Sequence, residues 1–177
     1  MFSMDGDVAR LPDLMNWAAP RGAALYVDDA HGFGWAGDGR GHVAQVRLDP
    51  NALVQMVTFG KSLGSYGAAL AGHADVIEWL LQSARTTMFA TALPPGLLAA
   101  TLEALRIVRD EPEHRLRLLE NVRRFRAACH AAGVDLLDAN GPVQAVLLGA
   151  EARALLWQRA LWEAGFWVNA IRPPTVP

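Results

Sequence analysis

Apolar residues recur along the chain at two intervals, and the switches between them set out an α/β order. Leu11, Leu14, Met15 and Trp17 fall at helical spacing, with Pro12 suited to a first helical turn. Ala23 to Val27 is a short continuous apolar run between turn signals, the pattern of a strand buried in a parallel sheet. Leu53 to Phe59 is a second such run, rich in β-branched residues, and Ala68 to Ala71 a third. Helical spacing returns from Ala74 to Ala84, followed by a Thr-rich turn at Arg85 to Thr87. A long helical pattern then runs from Pro94-Pro95 through Leu97, Leu98, Leu102, Leu105 and Val108 to an acidic break at Asp110 to Glu113. Beyond it the spacing predicts helix over 114–132, strands over 134–137 and 143–148, helix over 151–164 and a strand over 166–171. The expected fold class is therefore α/β, with a mostly parallel sheet in residues 1–110 and a small α/β unit in residues 111–177. That second unit reads as incomplete, because Arg172 to Pro177 forms an extended tail with no strand after it.

Composition narrows the partners. Hydrophobic residues make up 52% and charged residues 19%, a balance apolar enough to leave surface for a partner chain. A net charge of -2 supplies no field that recruits nucleic acid or an anionic membrane. No apolar run reaches the length of a membrane span or a secretory signal, and the single cysteine, Cys129, excludes an internal disulfide framework. A reducing cytoplasm is expected. The remaining histidines, His42, His73, His114 and His130, lack the paired spacing of a zinc or iron site, so no metal is expected.

The candidate chemistry starts from the cations. Fifteen arginines accompany a single lysine, Lys61, set in a loop of small residues. A guanidinium cannot condense with an aldehyde, whereas a primary amine can. Gly32-Phe33-Gly34-Trp35-Ala36-Gly37 satisfies G-x-G-x-x-G after a predicted strand, yet a dinucleotide site needs a helix N-terminus there. Asp38-Gly39-Arg40-Gly41 follows instead and prevents that helix from starting, so the Rossmann reading fails. Asp28, His31 and Lys61 are the stronger set, because they follow the C-terminal ends of two predicted strands, where parallel sheets place ligands. Taken singly, Asp28 and Asp29 could terminate a strand, Ser3 and Thr58 could cap turns, and His31 could be a satisfied core histidine.

Phe2-Ser3-Met4-Asp5-Gly6-Asp7, Val27-Asp28-Asp29-Ala30-His31-Gly32, Thr58-Phe59-Gly60-Lys61 and Phe89-Ala90-Thr91-Ala92-Leu93-Pro94-Pro95 resemble, in order and spacing, segments of the α-oxoamine synthase family. The resemblance implies a partial fold-type-I, aminotransferase-like transferase that uses pyridoxal 5'-phosphate. It implies Lys61 as the lysine that carries the cofactor, Asp28 at the ring nitrogen, His31 and Ser3 at the ring substituents and Thr58 at the phosphate. Thr91 is implied as a phosphate contact across a homodimer, and Thr175 as a substrate contact. The tail Ile171-Arg172-Pro173-Pro174-Thr175-Val176-Pro177 looks most like the branch that condenses L-alanine with a pimeloyl thioester in biotin synthesis. The same resemblance places Ser3 near the middle of the family's length. The chain is therefore expected to be a C-terminal portion, in need of a complementary N-terminal half and unable to act alone. A glycine C-acetyltransferase-like activity, or a non-catalytic interaction module, are the alternatives.

Overall fold

The computed structural model describes residues 1–46 and 49–176. Helix α1, Leu11–Ala18, buries Leu11, Met15 and Ala18, one face at the i, i+4, i+7 spacing of an amphipathic helix. Strand β1, Leu25–Asp28, runs parallel to β2, Leu53–Thr58, in a register that sets Leu25 opposite Leu53 and Asp28 opposite Met56. Strand β3, Ala68–Gly72, lies on the other side of β2 and runs antiparallel, with Thr58 opposite Ala68. The sheet is thus mixed, one parallel pairing and one antiparallel, where a mostly parallel sheet is expected. The β2–β3 loop, residues 59 to 67, is shorter than the dozen or so residues that a parallel crossover needs, so the chain turns back. Between β1 and β2 the glycine-dense stretch contains turns and short 3-10 pieces, Gly37–Gly39 and His42–Gln45, and no α-helix among the described residues. The absence of a phosphate-receiving helix after Gly37 agrees with the rejection of a dinucleotide fingerprint.

Helices α2, Ala74–Ser83, α3, Arg85–Met88, α4, Pro95–Asp110, α5, Glu113–Ala131, and α6, Glu151–Glu163, complete the regular structure. The Thr-rich turn is the single helical turn of α3. The expected acidic break separates α4 from α5, where Pro112 lacks the N–H needed to continue the first helix.

The three strands expected beyond residue 133 are not formed. Residues 134–137 and 143–148 meet at one isolated bridge, Leu136 to Val146, and residues 166–171 carry no strand. A strand requires a partner along its length, and here side chains hold the backbone carbonyls instead. Arg126 Nη1 donates to Leu137 O at 3.1 Å and to Ala139 O at 2.9 Å, while Gln158 and Trp162 both donate to Val168 O.

Buried apolar side chains belong mainly to α1, the end of β2 and the loops after β1 and β2: Leu11, Met15, Ala30, Ala36, Val57 and Leu63. No described helix is long and apolar enough to cross a membrane.

Candidate active site

Because β1 and β2 are parallel, their C-terminal ends reach the same edge of the sheet, the place where such sheets hold ligands. Asp28 closes β1 and Thr58 closes β2, and His31 and Lys61 each follow three residues later. Ser3, Asp28, His31 and Lys61 line one cleft of about 370 Å³, together with Phe2, Val8, Leu11 and Val27 as an apolar wall. A second cleft of about 630 Å³ shares His31 and Lys61 and continues past Trp35, Ser62 and Leu63 toward α4 and α5. Lys61 stands at the junction of the two.

Asp28 is exposed, and its Oδ1 accepts the Ala30 N–H at 3.0 Å, the local turn of an aspartate that ends a strand. His31 is half-buried. Its pKa lies below the ordinary 6.5, first because burial disfavours the cation, then because Lys61 and the N-terminal ammonium repel it, with Asp28 opposing. The imidazole is therefore neutral at pH 7. Lys61 is exposed and makes no ion pair among the described residues. Thr58 Oγ1 is the one buried side-chain polar atom without a hydrogen-bond partner among the described residues. A free primary amine, a carboxylate, a neutral imidazole and an unused hydroxyl at one sheet edge match what an aldehyde-bearing pyridine phosphate requires, so the donor set fits that cofactor.

The other expected site residues lie elsewhere. Thr91 is exposed in the loop between α3 and α4, and Thr175 is exposed in a turn closed by its own N–H to Arg172 O at 2.9 Å. Neither lines the two clefts. Thr58 borders the edge without lining either cleft, and Pro177, the last residue of the tail, lies outside the described residues.

One functional-site neighbour escapes sequence reasoning. Asp29 is only 1% exposed, and its Oδ1 meets His42 Nδ1 at 3.1 Å while Oδ2 accepts from Gln55 Nε2 at 3.0 Å and from the Val43 N–H at 3.3 Å. The doublet Asp28-Asp29 carried part of the signal, since consecutive residues at a strand end point to opposite sides and one of them turns inward. Its partner His42 sits thirteen positions away across an irregular loop, and no periodicity links the two.

The family model for aminotransferase class I and II matches residues 1–177. An 8-amino-7-oxononanoate synthase of Methylococcus capsulatus is 51% identical over 178 residues, covering 99% of this chain and 46% of that protein. The crystal structure of an 8-amino-7-oxononanoate synthase from Francisella tularensis superposes with a TM-score of 0.87 at 30% identity, over 98% of this chain and 52% of that one. A structure of SPT with PLP superposes with a TM-score of 0.91 at 31% identity, over 100% of this chain and 45% of that one. The chain spans about half the length of the curated relatives it matches.

Proposed function

We propose, starting from the fact that the chain belongs to the aminotransferase class I and II family, that it provides the lysine-bearing part of a pyridoxal-phosphate-dependent C-acyltransferase. The reaction is the decarboxylative condensation of L-alanine with a pimeloyl thioester, on coenzyme A or a carrier protein, to 8-amino-7-oxononanoate for biotin synthesis. The observation that carries this reading is the gathering of Ser3, Asp28, His31 and Lys61 around one cleft in a chain 51% identical to an 8-amino-7-oxononanoate synthase.

Pyridoxal phosphate, when bound, supplies an aldehyde for the lysine and a ring that accepts electrons from the substrate Cα. The residues do the rest. Lys61 Nζ would hold the cofactor, and as a free amine it would accept the proton from the substrate Cα. Asp28 is the counter-ion that keeps the ring nitrogen protonated, and an ionised carboxylate is what that proton needs. His31, neutral at pH 7, would hydrogen-bond the ring's phenolic oxygen without adding a charge, and Ser3, which lines the same cleft, would offer its hydroxyl to a ring substituent. Thr58, at the end of β2 with an unpartnered hydroxyl, would be the residue offered to the phosphate. The alanine Cα would bond to the thioester carbonyl carbon as the C–S bond breaks and the thiolate leaves; loss of the carboxylate as carbon dioxide would leave its electron pair at Cα, where a proton is returned.

Thr175 as a substrate contact and Thr91 as a phosphate contact in a homodimer belong to the same reading, since both are exposed and free to face another chain or a ligand. The partner is a second copy or a polypeptide carrying the family's N-terminal half, in the cytoplasm, with residues 1–110 as the cofactor-binding part and 111–177 as the small domain. A related activity on another acyl thioester is the second reading, favoured by the TM-score of 0.91 to an SPT.

Titration of the purified chain with pyridoxal phosphate tests the proposal. A visible absorbance band that is lost in Lys61→Ala and shifts with L-alanine is the expected result. A band that survives in Lys61→Ala would rule out Lys61 as the carrier. If the band behaves as expected, competition between pimeloyl, acetyl and palmitoyl thioesters separates the two activities.

A further inference from the structure

The glycine-rich loop is not a dinucleotide fingerprint, and the proposed chemistry does not use it. We propose that this loop, Gly32 to Gly41, is a brace that sets the spacing between Asp28, His31 and Lys61, with His42 and Ser62 as its positioning residues.

The first anchor is the buried Asp29–His42 pair. Asp29 adjoins Asp28 in the chain, and its carboxylate is held by His42 and the Val43 N–H, which directly follow the loop, and by Gln55 on β2. The loop closes tightly on that carboxylate. A Cβ added at Gly32 would overlap Asp29 Oδ1 and His42 Nδ1, and one at Gly41, whose φ is +94°, would overlap Asp29 Oδ2. Glycine at both positions is the condition for this approach. The second anchor is Ser62, the neighbour of Lys61, whose Oγ donates to Phe33 O at 2.7 Å. Here too the fit requires glycine, since a Cβ at Gly34 would overlap the Ser62 side chain.

Between the anchors lies His31. Its own carbonyl accepts from Trp35 Nε1 at 2.6 Å, and the Trp35 ring meets His42 edge-on with centroids 5.3 Å apart. One loop therefore grips the end of β1 through Asp29, the backbone of His31 through Trp35, and the lysine loop through Ser62. Without it, Asp28 and Lys61 would sit on separate segments joined only through the sheet.

The proposal rests on the cofactor reading only for what the spaced groups bind, so its test is made on the chain without cofactor. The His31 imidazole is titrated by NMR, and Lys61, the sole lysine, gives a single ε-methylene resonance. Three charged groups face His31: Lys61, the N-terminal ammonium and Asp28. Ser62→Ala removes an exposed hydroxyl and leaves the core untouched, and His42→Ala removes the buried anchor. In both, the His31 midpoint is expected to rise toward 6.5 and the Lys61 resonance to move, while His42→Asn, which returns a donor near the Nδ1 position, restores the parent values. An unchanged His31 midpoint and Lys61 resonance in Ser62→Ala would overturn the brace, even if His42→Ala fails to fold. In parallel, Ser62→Ala is expected to weaken pyridoxal phosphate binding about fivefold, the size of one lost neutral hydrogen bond. A parent chain that shows no cofactor band while His31 still moves with Ser62→Ala would sink the cofactor reading and leave the brace standing.

Discussion

His31 titrates among charges of both signs, and this makes it the most informative single residue. Removing the cation in Lys61→Met is expected to raise its NMR midpoint, and removing the anion in Asp28→Asn to lower it further. A midpoint indifferent to both would mean that burial alone sets it. Because the folded pKa lies below 6.5, the unfolded chain takes up the His31 proton first as pH falls. The contribution to stability is complete above pH 6.5 and is withdrawn as pH drops from 6.5 through the folded value, so stability rises with pH across that window. The two adjacent aspartates differ in a way that sequence could not rank. Asp29→Ala takes the acceptor from buried His42 and from the Val43 N–H, while Gln55 Nε2 keeps only Arg40 O, and is expected to cost about 2–3 kcal/mol in denaturant unfolding. Asp28→Ala, at an exposed turn, should cost under about 1 kcal/mol. Equal losses would show that the Asp29 network is not intact in solution. The doublet itself was legible, but its inward member was not, because its partner comes from a loop without periodicity.

At the scale of elements, β2 is paired on both sides while β1 and β3 each have one partner. Amide exchange is expected to be slowest across Leu53–Thr58; faster exchange there than in β3 would contradict the strand order. The segment beyond α5 hangs on a side chain. Arg126 Nη1 reaches Leu137 O, Ala139 O and Gln144 Oε1, the last at 2.8 Å. A lysine ammonium stands one bond short of Nη1, the single nitrogen that makes all three contacts, so Arg126→Lys is expected to lose about 1–2 kcal/mol and not to act as a conservative change. Parent-like stability would assign the segment to other contacts. Helices were readable here because each carries its own periodicity. Strands over 134–148 and 166–171 were not, since an apolar run says nothing about whether a neighbouring strand exists to accept it.

Over the whole molecule, much large apolar surface faces outward. Trp167 is 81% exposed, Phe89 72% and Leu147 71%, and Trp162 stacks on Trp167 with centroids 5.0 Å apart. Exposed apolar area of this extent is available for self-association or for contact with another chain. The purified chain is therefore expected to bind an apolar fluorescent dye and to associate with rising concentration in light scattering. A monomer that excludes the dye at all concentrations would contradict this. The charge balance agrees, since a net charge of -2 offers little repulsion between copies.

The sequence by itself determined the α/β order, the single lysine in a small-residue loop, and the alignment of Asp28, His31 and Lys61 with the ends of two strands. These follow from local periodicity and from chemistry that only certain side chains possess. Only the tertiary structure decided that β3 runs antiparallel, that the segments after α5 form a single bridge, and that Asp29 rather than Asp28 is buried. It alone showed that Gly32 of a false dinucleotide motif, together with Gly41 beyond it, closes around a carboxylate. Strand partnership, burial and close approach are relations between distant parts of the chain, and no pattern within one segment encodes them.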